Sequence, residues 1–494
     1  MHKNVLQYNQ TLTKKENNTM KKFINMLSVL LALTMCLGIV VACAKDEGEG
    51  NEGGATTPAE TTTTVALTTT TTPAHTTTAG TTHIEDTYNP NPTGTVPADG
   101  LIKNAADLHA VLVNGESNKD YTVTATEIDM AGLKWVGMKD YSGTFDFGGC
   151  VVKNVSFPMF TSVTGGTVKN LVVSDSTQEY TNEESEADKD LIVLSSSDTQ
   201  CRVYGGVIRF MSEGVVSNIT VESSVSIKAE MFIEEAKVGG IVGYANGDNL
   251  LIENCTFKGA VSTDSLSVYI AGIVSHLESS NDTSLNVDDP ASSSVLIKGC
   301  TNYGTVDNYG FGNDSKVAGV VGALGTGAAY KCANYGTISS NDKGHCSGVV
   351  GYCGNKMTIM YCFNAGTILG CTVCNAGIAA YSRGEVRRFI GCINVGTITV
   401  KEGNSSNYIC GIIGWIRNQE YFESCYNLKS ACEKWGISKT EIDPANPETY
   451  ATEYSAATLD NCATLDSVDA ILAAMEAQHP GVFVKDGNSI KLAD

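Results

Sequence analysis

The chain has 494 residues, enough for two or three globular domains or for one elongated repeat domain with tails. Its formal charge of −21, from 33 Lys and Arg against 54 Asp and Glu, argues against nucleic acid or an anionic membrane surface as partner. Residues 1–42 hold five lysines and one glutamate, so their removal takes −21 to −25, a balance that suits a solvated extracellular surface, cations or basic partners.

Residues 1–19 are polar and patternless and read as an overcalled start. Met20-Lys21-Lys22 then opens a basic stretch followed by the apolar run Phe23 to Ala42, the form of a bacterial export signal. The run ends in Val40-Val41-Ala42-Cys43, which resembles the lipobox of bacterial lipoproteins; Cys36 fails that pattern because Met35 precedes it. The resemblance implies a mature chain that begins at a lipidated Cys43 and is held to the membrane by two acyl chains. An uncleaved transmembrane helix is the alternative, since about 20 apolar residues span a bilayer. Both readings place the remainder outside the cytoplasm. Residues 43–97 cannot build a core: 16 of the 27 residues from Thr56 to Thr82 are threonine, so ordering entropy wins. They read as a stalk with a reach of roughly 45 Å as a flexible coil, and as a candidate for O-glycosylation.

From residue 98 the pattern changes. Asn104 caps an expected helix over Ala105 to Val113, which would cover the open end of a repeat structure. A phrase then recurs down the chain: VVKNVSF, TVKNLVV, VVSNITV, LIENCTF, LIKGCTN, AYKCANY, TIMYCFN, FIGCINV and FESCYNL. From Cys300 its cysteines are spaced by 32, 30 and 30 residues, a period at which each repeat buries its apolar face only against its neighbours. One position in this column holds Val155, Leu171, Ile219, Cys255, Cys300, Cys332, Cys362, Cys392 and Cys425. Cysteine there serves as a small buried hydrophobe at an inward strand position. Two residues on, Phe157, Val173, Val221 and Phe257 give way to Asn302, Asn334, Asn364, Asn394 and Asn427. Positions two apart share a face, so these amides are expected to stack, each donating to one neighbour and accepting from the other. A second column, GGIVGY at Gly239, AGIVSH, AGVVGA, SGVVGY, AGIAAY and CGIIGW, suits buried parallel strands with glycine at the corners.

Three strands per period make the expected fold an all-β, right-handed parallel β-helix over residues 98–432, with short capping helices at both ends. Insertions at Ser176 to Gln200 and Glu278 to Ser293 read as loops; neither has the spaced oxygen ligands of a dedicated calcium site. Residues 433–494 lose the repeat and carry a helix near Ser467 to Ala477, with Val468, Ile471, Leu472 and Met475 on one face.

The stretch VGGIVGYANGDNLLIENCTFKGAVS from Val238 resembles the GLUG motif of bacterial surface proteins, a Gly-Gly-Leu-Val-Gly-Tyr phrase before Ile-x-Asn-Cys and a final Gly-x-Val. GTFDFGGC from Gly143 resembles the opening coil of such domains, with Phe147 in place of a glycine and Cys150 in place of a histidine. The resemblance covers residues 100–494 and implies a β-helix in an exported or surface-attached protein. Some members of that family are immunoglobulin-cleaving zinc peptidases, but the seven histidines here never form HExxH, so that chemistry has no site.

Candidate chemistry is sparse, and no cofactor or metal is expected. Without Cys36 and Cys43, 15 of the 17 cysteines remain, an odd number that fits mostly free, buried thiols. Cys371-x-x-Cys374 is a redox or metal half-site or, without a second pair, core packing. Asp288-Asp289 and Gly344-His345 are similar to fragments of pectin-cleaving hydrolases, but the Asp pair lies in an insertion and no Arg-x-Lys follows the histidine. A lyase or hydrolase on this scaffold needs three or more acidic or basic side chains converging in one groove. Flanking the cysteines, Ala333, Phe363, Ile393 and Tyr426 form an apolar stripe that either binds something or is covered, with the helix around Ile471 as cover. Tyr303 and Tyr335 are the candidate ligand platform, able to stack on sugar rings. The expected function is a surface lipoprotein whose β-helix binds an extracellular glycan or protein, with a carbohydrate-active enzyme as the alternative.

Overall fold

The computed structural model describes residues 94–181, 193–194, 200–230, 235–279, 286, 289–310, 313–341, 343–371, 373–383, 387–400, 408–416, 420–432 and 458–493. All belong to one of two compact units, residues 84–494; Cys43 and the Thr-rich stretch lie outside the described residues.

The unit is a parallel β-helix. Short strands stack coil on coil into sheets of 27, eight and seven strands, parallel but for one edge pair at Val193–Leu194. Where three strands per period were expected, a typical coil holds five: Val242–Asn246, Leu250–Glu253, Thr256–Phe257, Ala260–Thr263 and Val268–Ala271. The extra breaks have a conformational cause. A left-handed residue precedes every member of the cysteine column: Asn170, Asn218, Asn254, Gly299, Lys331, Tyr361, Gly391, Ser424 and Asn461, with φ between 50° and 60°. That corner favours Asn and Gly, because other side chains crowd the carbonyl there.

The column residues point inward and are fully buried from Leu171 to Cys425. Val155 is the exception to the expected register. Val151–Lys153 pairs with Val172–Ser174, and Val172 N–H donates to the Cys150 carbonyl, so Cys150 takes the place beside Leu171. Val155 follows a second left-handed asparagine, Asn154, one corner later, where its N–H meets the Ser176 hydroxyl. An asparagine followed by an aliphatic residue marks both corners alike, which is why the sequence pattern slips here.

The asparagines form the expected ladder. Asn302, Asn334, Asn364 and Asn394 each donate Nδ2 to the Oδ1 of the next, at 2.7, 2.8, 2.7 and 2.9 Å, ending on Asn427. Glycine columns make room on both sides: a Cβ on Gly348 would lie 2.3 Å from Asn364 Oδ1, and one on Gly396 would lie 2.5 Å from its Nδ2.

Both helices lie where the sequence places them. The first, α1 (Ala105–Asn114), is capped by Asn104 Oδ1 on the Asp107 N–H, and its Leu108, Val111 and Leu112 join the main core. The second, α2 (Val468–Gln478), is capped by Ser467. Together with the hairpin Phe483–Asp486 and Ser489–Leu492 it covers the apolar stripe: Ile471, Met475, Phe483 and Ile490 bury against Ala333, Phe363, Ile393 and Tyr426. One further turn lies beyond the expected end of the repeat. Thr458–Asp460 pairs with Tyr421–Glu423 and Ala463–Leu465 with Tyr426–Leu428, which brings Cys462 into the cysteine column. Residues 433–457, between the two turns, lie outside the described residues.

Candidate functional site along a re-entrant corner

The last letters of the second column, Tyr, His, Ala, Tyr, Tyr and Trp, form an outward-facing row. In register these are Tyr244, His276, Ala323, Tyr352, Tyr381 and Trp415. Across the glycine corner a second outward row holds Lys237, Tyr269, Lys316, His345, Cys374 and Tyr408. Outward side chains on two sides of a convex corner diverge. Here they meet within single coils: Lys237 Nζ lies 4.8 Å from the Tyr244 ring centre, Tyr269 and His276 stack at 5.0 Å, and Tyr408 and Trp415 stack at 5.3 Å and 6°. The corner is therefore re-entrant, and its two rows pack on one another across it.

Contacts also run from coil to coil. Tyr352, Tyr381 and Trp415 follow one another with ring centres 5.5 and 5.0 Å apart, and His345 stacks on Tyr381 at 4.6 Å. Lys316 Nζ lies 5.1 Å from the Tyr269 ring centre and 5.9 Å from that of Tyr352. Lys237 and Lys316 are only 3% and 5% exposed, so their charges need partners. They have them: Lys237 Nζ meets Glu235 Oε1 at 2.8 Å and Lys316 Nζ meets Asp314 Oδ2 at 2.7 Å. Glu278 takes His276 Nε2 at 3.2 Å and the Tyr244 hydroxyl, and Asp314 also faces His345 Nε2 at 3.4 Å.

Burial raises both of these carboxyls, but their partners outweigh it. Glu278, held by His276, Tyr244 and Lys237, and Asp314, held by His345 and Lys316, each stand at about 2. Asp314, Lys316 and His345 thus supply, in number, the convergence that a lyase or hydrolase requires. In protonation they do not supply a glycosidase acid, because a carboxyl at about 2 holds no proton to give near neutral pH.

The residues singled out in the sequence lie elsewhere, His345 and Cys374 excepted. Tyr303 and Tyr335 follow the asparagine ladder, with their rings stacked at 5.0 Å and 8°. Tyr303 is 54% exposed, whereas Tyr335 packs on the covered stripe, and burial together with Tyr303 and Asp486 pushes its hydroxyl up to about 12. Asp289 stands at the N-cap position of the turn Pro290–Ser292 without a side-chain cap bond, and its charge acts on Tyr330; Asp288 is outside the described residues. Cys371 and Cys374 are buried thiols, Cys371 donating to Gly344 O and Cys374 to Ala380 O, and burial pushes the Cys374 thiol up. Of the other cysteines whose side chains are described, all but Cys462 are buried. Among the described residues, no three His, Cys, Asp or Glu side chains are placed to hold a metal ion.

No family model matches the sequence, and no curated protein matches it. Among solved structures, a candidate immunoglobulin A1 protease from Bacteroides ovatus is similar at 15% identity, over 79% of this chain and 91% of that one, with a TM-score of 0.40. An IgA1 protease is similar at 13% identity, over 58% of this chain and 21% of that one, also with a TM-score of 0.40. At such scores neither likeness carries an argument about activity. The fold rests on the strand pairing itself.

Proposed function

We propose that the chain is an exported lipoprotein of the GLUG type, anchored at Cys43 and raised on its Thr-rich stalk, whose β-helix binds an extracellular ligand without turning it over. One observation carries the binding reading: the re-entrant corner sets aromatic faces and hydrogen-bonding ion pairs in rows along successive coils. The partly exposed rings of Tyr269, Tyr352, Tyr408 and Trp415, beside donors and acceptors already fixed in place, are what ligand sites use for affinity and orientation. The pairing of Glu235, Glu278 and Asp314, which flank the rows, favours binding over acid catalysis. A carbohydrate-active enzyme is the second reading, and the cluster Asp314, Lys316 and His345 supports it; a lyase would draw on His345 as base beside Lys316.

The two readings part in one assay. The mature chain is incubated with a panel of plant, microbial and host glycans, and both retention and new reducing or unsaturated ends are measured. Retention without product is expected; any product that disappears in His345→Ala establishes the enzyme instead. The anchor is tested by Cys43→Ala, which is expected to abolish lipid labelling and release the protein from the membrane. Retention of both in the variant rules the lipobox reading out.

A further inference from the structure

Cys425 and Cys462 close the cysteine column at its C-terminal end, and of the cysteines whose side chains are described only Cys462 is not buried. We infer that this pair binds one Cu(I) ion, held in line between the two sulfurs. The inference is independent of ligand binding at the re-entrant corner.

The backbone sets the separation of the sulfurs. Ser424 and Asn461, which precede the two cysteines, take the same left-handed corner, each with φ of 52°. Tyr426 pairs in register with Ala463, whose N–H donates to Cys425 O at 3.2 Å. The two side chains therefore leave adjacent coils in the same direction, about 4.8 Å apart, and their thiols face one another. A disulfide needs a closer approach, with Cβ atoms roughly 3.5–4.5 Å apart, so the two coils would have to draw together. An ion in line between two sulfurs, with metal–thiolate bonds of about 2.3 Å, spans about 4.6 Å. It fits the coil repeat as it stands.

The number of ligands selects the ion. Among the described residues no three His, Cys, Asp or Glu side chains are placed to hold a metal, and a zinc site takes four ligands. Thiolates select soft ions, and Cu(I) is the soft ion that two sulfurs in line satisfy. The Cys425 N–H lies 3.5 Å from Cys462 Sγ, a donor already aimed at a sulfur that gains charge on binding. On binding, each thiol releases its proton to water as its sulfur bonds the ion. One Cu(I) and two thiols thus give a dithiolate complex of charge −1 and two protons, and no electron is transferred. The hydrogen bonds given up run from Cys425 Sγ to Phe389 O and Glu423 O and from Cys462 Sγ to Asp460 O, at 3.4, 3.5 and 3.4 Å. Thiols are weak donors, so little is lost with them. Access completes the site: the remaining cysteines of the column are fully buried, whereas an ion reaches Cys462 from solvent.

The mature protein, kept free of oxygen, is titrated with Cu(I) in competition with a chromogenic Cu(I) chelator. The parent protein is expected to hold one ion more than Cys462→Ser, so ions on any other thiol drop out of the difference. X-ray absorption of that ion is expected to show two sulfur neighbours and no nitrogen. A third readout needs no variant and so does not depend on how Cys462→Ser folds. Loading the parent protein with Cu(I) is expected to slow alkylation of Cys462 by iodoacetamide at least about tenfold, because the bound thiolate is no longer a free nucleophile. Zn(II) is expected to give no such protection. Equal Cu(I) content in the parent and Cys462→Ser, a shell of three or four ligands, equal protection by Zn(II), or undiminished alkylation of the loaded protein each overturns the inference. So does a disulfide between Cys425 and Cys462 in a glutathione redox buffer, since it shows that the coils do draw together.

Discussion

Asn364 sits in the middle of a chain of buried amides, accepting from Asn334 and donating to Asn394. Replacing it with alanine leaves Asn334 Nδ2 without an acceptor and removes a donor from Asn394 Oδ1. An orphaned buried polar group costs about 1–3 kcal/mol, so Asn364→Ala is expected to destabilise by about 2–4 kcal/mol. Asn427 ends the ladder, and its Nδ2 is already buried without a partner, as is the hydroxyl of Thr464 in the turn beyond. Asn427→Ala is therefore expected to cost at least about 1 kcal/mol less than Asn364→Ala. Urea unfolding of the two variants checks this, and equal costs would show that the ladder is not the source. These amides were legible in the sequence because one side-chain type repeats at one strand position, and only a ladder satisfies such a set when buried. The left-handed corner was hidden at Lys331, Tyr361 and Ser424, where neighbouring packing overrides the preference for Asn or Gly.

At the scale of elements, the tail folds back as α2 and a hairpin to cover the apolar stripe, as the spacing of Ile471 and Met475 implies. One titratable group sits at the joint. His479, at the end of α2, meets the Tyr361 hydroxyl through Nδ1 at 3.2 Å, and its Nε2 is buried without a partner. Burial lowers its pKa from the ordinary 6.5, with Glu423 opposing the shift. The undocked tail therefore takes up a proton as pH falls through 6.5, while the docked tail resists until lower pH. Docking stability is full above 6.5 and declines as pH falls toward the depressed value of the docked state. Hydrogen exchange of the α2 amides is expected to quicken between about pH 7 and about pH 5 beyond the intrinsic rate change, and His479→Gln to remove that excess. Unchanged protection in the parent protein would show that His479 does not govern docking. The extra turn at Cys462 escaped the sequence pattern for a related reason: residues 433–457 break the period, and a single further rung gives no repeat to detect. The packing across the re-entrant corner escaped it because alternation shows which side chains point out, but the inward bend of a corner depends on how two sheets meet.

Apart from the tail, which packs across the coils from Ala333 to Tyr426, each coil touches only its neighbours, so stability is a sum of coil and interface contributions rather than one global core. Phe389 and Phe422 show what one interface holds: both are fully buried, in adjacent coils, with rings stacked at 4.7 Å and 15°. Truncating a buried phenylalanine costs about 3–5 kcal/mol. In a globular domain that loss would be shared by every residue that opens in the global transition. In a solenoid it falls on the coils next to the change and on those between it and the nearer end. Phe422→Ala is therefore expected to speed exchange in the strands Arg387–Ile390, Glu420–Glu423 and Thr458–Asp460, while Val242–Asn246 and Leu250–Glu253, several coils away, keep their protection. The asparagine ladder is the feature that opposes such local opening, since its amides polarise one another from Asn302 to Asn427. If the ladder couples the coils into one unit, protection falls equally in the distant strands. In that case Asn364→Ala combined with Phe422→Ala restores the gradient, because the break at Asn364 separates the coils on its two sides.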